Sequence, residues 1–181
     1  MLINMKKLLL SLALITGFGL VANAQTQDAV RKLSIGAEFG ISTTDFSKDR
    51  IKVGGSLLYE HSIAASFSLT GSVGYLSNTL KGDTRTEYKA SGWPTNFGIV
   101  PVKFGGKYYF SRHFYAAAEV GASFETSQGG GVGFLYGVGI GSSFSVSKKS
   151  SLDIGLRYES WSYKPGTDRF IGLRVAYSFG L

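Results

Sequence analysis

The chain has 181 residues, enough for one ordinary domain, with 19 Lys and Arg against 12 Asp and Glu, a formal net charge of +7 and no cysteine. The missing thiols exclude disulfides and thiolate zinc sites, while the basic residues form no stripe and accompany no reading motif, which argues against nucleic acid as a partner. Glycine supplies 25 residues and proline 3 in a chain that is 44% hydrophobic and 14% aromatic, a composition that opposes disorder and favours strands with crowded neighbours.

The first element in chain order is an address. A basic pair, Lys6 and Lys7, precedes an apolar run from Leu8 to about Val21, and Ala22-Asn23-Ala24 stands before Gln25. That run is shorter than the roughly 20 residues of a bilayer-spanning helix, and the small-x-small triplet marks a cleavage site. Residues 1–24 therefore read as a secretory signal peptide and 25–181 as the exported domain. No Cys follows the apolar run, so a lipoprotein anchor is excluded.

From Leu33 onward, apolar and polar residues alternate with period 2, and no segment sustains the 3.6-residue recurrence of an amphipathic helix. The pattern predicts eight strands, at about 33–42, 50–60, 66–76, 97–110, 114–124, 133–145, 151–161 and 169–181. Short links follow the second, fourth and sixth strands, at 61–65, 111–113 and 147–150; the others are longer or more polar, the longest covering 78–96. An up-and-down barrel with tight turns at one end and loops at the other produces this alternation, whereas a Greek-key sandwich does not.

The stretch SLDIGLRYESW, residues 151–161, shows what the two phases contain. Leu152, Ile154, Leu156 and Tyr158 occupy one; Asp153, Gly155, Arg157, Glu159 and Trp161 occupy the other. Across the strands the polar phase is rich in Gly and Ser and carries Glu38, Glu60, Glu119, Asp153 and Glu159 against Lys52, Lys103, Lys107, Arg157 and Arg174. A soluble barrel would turn the Gly/Ser phase to water with few charges per strand. A membrane barrel turns the apolar phase to lipid and encloses the charges in a narrow lumen, where acids and bases must pair. Aromatic residues gather near both strand ends: Tyr59, Phe67, Tyr108, Phe110, Phe114, Phe144, Tyr177 and Phe179 beside the short turns, and Phe39, Tyr75, Phe97, Phe124, Phe134 and Tyr158 beside the loops. Two such girdles are expected where hydrocarbon meets headgroups. The reading is an all-β, eight-stranded antiparallel up-and-down transmembrane barrel. Glu38, Lys103, Glu119, Arg157 and Arg174, at similar heights in the inward phase, are expected to form one interior charge network.

Catalytic residues are not expected. Only His61 and His113 are available as bases, both placed at short turns, and no G-x-S-x-G elbow occurs. Gly129-Gly130-Gly131 precedes a strand rather than a helix with Lys and Ser/Thr, so it is not a phosphate loop. Two isolated histidines and scattered carboxylates have no metal-ligand spacing, and Asp45, Asp49, Asp83 and Asp168 are placed in loops. No cofactor or metal is expected.

Three segments, FSLTGSVGY at 67–75, IVPVKFGGKYYF at 99–110 and FIGLRVAYSFGL at 170–181, make the chain resemble the small porin-like outer membrane protein β-barrel domain family, relatives in shape of the outer-membrane protein A and X barrels. The resemblance covers the whole of 25–181. It implies outer-membrane lipid as the surroundings and insertion by the barrel-assembly machinery, with Tyr177, Phe179 and Leu181 as the signal; such barrels often end on an aromatic residue, whereas here Phe179 stands two positions before the last residue. The functional expectation is a monomeric, non-enzymatic outer-membrane protein with a structural role, or an adhesive one through an extracellular ligand at its long loops. A narrow porin is the alternative, and a lipid-modifying barrel enzyme a weaker third.

Overall fold

The computed structural model describes residues 31–44, 50–92, 94–127, 130–163 and 166–181; the expected signal segment 1–24 and Asp45, Asp49, Trp93 and Gly129 lie outside the described residues. Eight strands follow in order: β1 (Arg31–Ser42), β2 (Arg50–Ala64), β3 (Phe67–Leu80), β4 (Asn96–Tyr109), β5 (Phe114–Glu125), β6 (Val132–Ser147), β7 (Ser150–Ser162) and β8 (Thr167–Gly180). Each is antiparallel to the next, and β1 pairs with β8 from Lys32↔Gly180 to Ser42↔Phe170, closing the barrel.

The strands are 12 to 16 residues long, beyond the about 9–11 that a tilted strand needs to cross hydrocarbon, so their ends project into the headgroup zones. His61, expected in a turn, consequently lies on β2, and that turn contracts to Ala65 and Ser66. Asp168, expected in a loop, lies on β8. Within the 78–96 connection, the strands extend to Leu80 and from Asn96, and a helix not expected from periodicity, α1 (Gly82–Ala90), fills the middle. Asp83 in its first turn and Lys89 in its last suit the helix dipole. Gly92 ends it with φ 72°, a left-handed conformation that glycine accepts without a Cβ clash.

The alternation assigns the two faces. Ile35, Phe104, Val138, Ile140, Leu156 and Ile171 point outward and are each more than half exposed, while Glu38, Lys52, Glu60, Lys107, Asp153 and Glu159 are buried in the lumen. So large a continuous apolar surface, wrapping every strand, is a lipid-facing one. The girdle at the short-turn end includes Phe110 stacked on Phe114 at 6.3 Å and Tyr177 edge-on to Phe179 at 4.9 Å. At the loop end Phe39, Tyr75, Phe124, Phe134 and Tyr158 face outward. Phe97 departs from that girdle: it falls in the inward phase at the loop mouth, with the Arg50 guanidinium 5.9 Å from its ring.

Leu156 is mid-strand on β7 and outward. Leu156→Arg is expected to destabilise the barrel by about 2–4 kcal/mol, the midplane cost of a cation against lipid, in urea unfolding from liposomes. A neutral result would mean that this face meets water.

Candidate functional site

The lumen is organised in layers, each set by the inward residue of several strands. In the middle layer Arg157 pairs with Glu38, and its Nε lies 2.6 Å from Glu159. Lys103 bridges Glu119 and Glu159, both at 2.9 Å. Arg174 lies opposite Glu38 across the β1–β8 seam, 3.6 Å from its carboxylate, and donates from Nε to Ser56 at 3.0 Å. All five residues expected at this height, Glu38, Lys103, Glu119, Arg157 and Arg174, thus lie in one connected set of ion pairs, joined through Glu159. Arg157 and Glu119 sit on separate branches of that set, since Arg157 pairs with Glu38 and Glu159 while Glu119 pairs with Lys103.

Toward the short turns, Lys107 bridges Glu60 at 3.2 Å and Asp153 at 3.0 Å. Two phenols seal this layer: Tyr109 donates to Glu60 and Tyr115 to Asp153, each at 2.8 Å, with their rings 5.6 Å apart. Space for the Tyr115 ring comes from Gly141 and Gly155, because a Cβ on either would press on the phenol oxygen.

Toward the loops the lumen becomes apolar. Leu76, Ile99, Leu135, Trp161 and Phe170 form a buried cluster, with Phe170 edge-on to Trp161 at 5.1 Å. Lys52 enters it, its ammonium 4.4 Å from the Phe170 ring and 5.5 Å from Trp161; it pairs with Asp168 and donates to Ser42 at 3.1 Å. Trp161 in turn donates to Glu159 at 2.7 Å, linking plug and network. Between plug and phenols remains a cavity of about 50 Å³, bordered by Glu38, Lys103, Tyr115, Arg157 and Arg174. That is room for a few water molecules, not for a solute file.

The expected assembly signal lies elsewhere. Tyr177, Phe179 and Leu181 are exposed at the end of β8, on the outer face with the girdle. Of the two histidines, His61 stacks with Tyr59 at 6.4 Å and His113 with Phe144 at 6.3 Å. Among the described residues no group of three or more His, Asp or Glu is placed to hold a metal. Tyr109, Tyr115 and Phe170 carry inward roles that the charge pattern alone does not reveal, although each shares a phase with the charges of its own strand.

No family model and no curated protein matches the chain by sequence. Solved structures do match. Neisserial surface protein A superposes with a TM-score of 0.61 at 13% identity, covering 83% of this chain and 97% of that one. Ail, the attachment invasion locus protein of Yersinia pestis, gives 0.57 at 13% identity, with 86% and 100% covered. The chain has the fold of eight-stranded outer-membrane barrels. The outer membrane protein AlkL, solved in lipid bilayers, adds a TM-score of 0.53 at 10% identity over 88% of this chain and 93% of its own.

Arg157→Leu leaves Glu38 and Glu159 short of a cation, and the expected loss is about 3–5 kcal/mol in urea unfolding from liposomes. Adding Glu38→Gln should recover part of that loss, because it removes the carboxylate that Arg157 neutralised. Strictly additive losses would show that the two side chains are not coupled.

Proposed function

We propose that this is a non-enzymatic, monomeric protein of the bacterial outer membrane whose lumen is a structural core and whose interactions are made by its long loops, giving it a scaffolding or adhesive role. One observation carries the reading: the lumen is filled across its section by ion pairs, phenols and the Trp161–Phe170 plug, with a cavity of about 50 Å³ between plug and phenols. A route for solutes needs a continuous polar lumen, and eight strands enclose little more than their own side chains. The similarity in fold to Ail, the attachment invasion locus protein, supports the adhesive side of the reading. On this chain we assign that role to the β3–β4 loop, where α1 presents Asp83, Arg85, Glu87, Tyr88 and Lys89, all exposed.

In the same reading, residues 1–24 direct export, the short turns face the periplasm, and the barrel-assembly machinery takes Tyr177, Phe179 and Leu181 as its insertion signal. Their outward exposure beside the β1–β8 seam supports this, because an assembling partner can reach them from the membrane side.

The absence of native cysteine makes the test direct. In intact cells a membrane-impermeant maleimide is expected to label Lys89→Cys on α1 and not Lys148→Cys in the β6–β7 turn; the opposite pattern reverses the orientation. In planar bilayers the purified protein should show no steady conductance steps. Reproducible steps would overturn the sealed-lumen reading in favour of a narrow porin.

A further inference from the structure

At the short-turn end the barrel opens into a vestibule of about 140 Å³. Its wall carries four cations, Lys32, Arg112, Lys148 and Lys149, with the hydroxyls of Ser143 and Ser178 among them, and no Asp or Glu of the described residues lines it. Two carboxylates outside the lining are already engaged: Glu60, opposite Lys32 on β2, by Lys107 and Tyr109, and Asp153 by Lys107 and Tyr115. Tyr109 forms part of that floor, and the Lys32 ammonium stands 5.8 Å from its ring. Deeper in the lumen, by contrast, Lys52, Lys103, Lys107, Arg157 and Arg174 each meet a carboxylate within 4 Å.

The backbone around the vestibule is fixed by hydrogen bonds. Gly180 N–H donates to the Lys149 carbonyl at 2.6 Å, tying the β6–β7 turn to β8, and Ser143 N–H donates to the His113 carbonyl at 2.7 Å, tying the β4–β5 turn to β6. The Ser111 hydroxyl accepts the Phe114 N–H at 3.1 Å within that second turn. Four cations are thus gathered around one concavity whose lining carries no Asp or Glu among the described residues, and Glu60, the register partner of Lys32, is itself held by Lys107 and Tyr109. Mutual repulsion is relieved by an oxyanion, and a guanidinium fork, ammonium groups and serine hydroxyls together present the donors that a tetrahedral phosphate accepts.

We propose that this vestibule binds a phosphate group. Two sources share that chemistry. One is the headgroup of an anionic phospholipid in the leaflet on the short-turn side, since the aromatic girdle of Phe110, Phe114, Phe144, Tyr177 and Phe179 puts the headgroup level at the same end of the barrel. The other is a soluble phosphate entering the mouth of the lumen. The site itself stands whichever way the barrel is oriented in a cell.

Amide chemical shifts of the full barrel in phosphatidylcholine nanodiscs provide the test. Inorganic phosphate is titrated against sodium chloride of equal ionic strength, and a parallel sample replaces part of the lipid with phosphatidylglycerol. Saturable shifts at Ser143, Lys148, Lys149 and Ser178 are expected with at least one of these probes. Response to phosphate in solution assigns a soluble ligand, response to phosphatidylglycerol assigns the headgroup, and response to both assigns a site open to either. Combining Arg112→Gln with Lys149→Gln should weaken the response by about tenfold or more, whereas Lys81→Gln with Lys89→Gln at the opposite end should not change it. An unperturbed spectrum elsewhere in the barrel shows that each variant is folded. Shifts no larger than those in chloride with both probes, or undiminished binding by the Arg112/Lys149 variant, would overturn the proposal.

Discussion

Closure of β1 on β8 is the constraint on which everything else rests. Hydrocarbon offers no partner to a backbone N–H or C=O, so a sheet crossing it has to pair both edges. Here eleven register pairs, from Lys32↔Gly180 to Ser42↔Phe170, make that seam. Once it exists, every residue faces either lipid or lumen, and the period-2 pattern becomes a statement about two solvents. The seam also puts Glu38 opposite Arg174, so a closing hydrogen-bond ladder and a buried ion pair are specified together.

A closed sheet of eight strands leaves a lumen about as wide as the side chains that fill it. Long ionised groups fit only where neighbours are small, which is why inward glycines accompany the charges: Gly137 and Gly139 face the Glu159 and Arg157 side chains, and Gly141 receives Tyr115. Buried ion pairs are weak evidence for stability as such, because desolvation offsets most of the attraction. Their value here lies in register. A one-residue slip of β7 would turn Asp153, Arg157 and Glu159 to lipid and Leu152, Ile154, Leu156 and Tyr158 to the lumen, and no redistribution of pairs repairs that. The plug at the loop end works in the other direction: with Trp161, Phe170 and Leu135 almost fully buried, it packs like the core of a soluble protein inside a membrane barrel.

Strand number, topology and the identity of the lipid face were legible because one rule, alternation, acts on every strand. The charges of the middle layer were legible for the same reason: Glu38, Lys103, Glu119, Arg157 and Arg174 fall in a phase rich in Gly and Ser. What sequence reasoning missed has three physical sources. Asp168 looked like a loop residue because β8 begins with Thr167, Asp168 and Arg169, and polar strand ends that project beyond the hydrocarbon resemble loops. Phe97 shows the converse error, an aromatic residue near a strand end that turns inward to Arg50 instead of outward to headgroups. Helix α1 escaped because it buries no apolar face, leaving no 3.6-residue pattern; its legible signals were Asp83 near its start, Lys89 near its end and the glycine that stops it.

The same chemistry that closes the lumen separates the work of the two ends. Ion pairs, phenols and plug are all contributed by strands, so the barrel's stability draws little on the β3–β4 connection, and that connection is free to carry residues chosen for contact. Its helix alternates Asp83, Arg85, Glu87 and Lys89, a mixed surface that neither attracts nor repels a charged partner strongly over distance. At the short-turn end the charge is of one sign: Arg31, Lys32, Arg112, Lys148 and Lys149 surround the mouth, with the nearby acids withdrawn into the lumen against Lys107. A polar lumen open from end to end would let water screen one end from within and blur the contrast between them. With the interior filled, each mouth keeps its own electrostatic character, and the long-range attraction of anions is confined to the end that the short turns build.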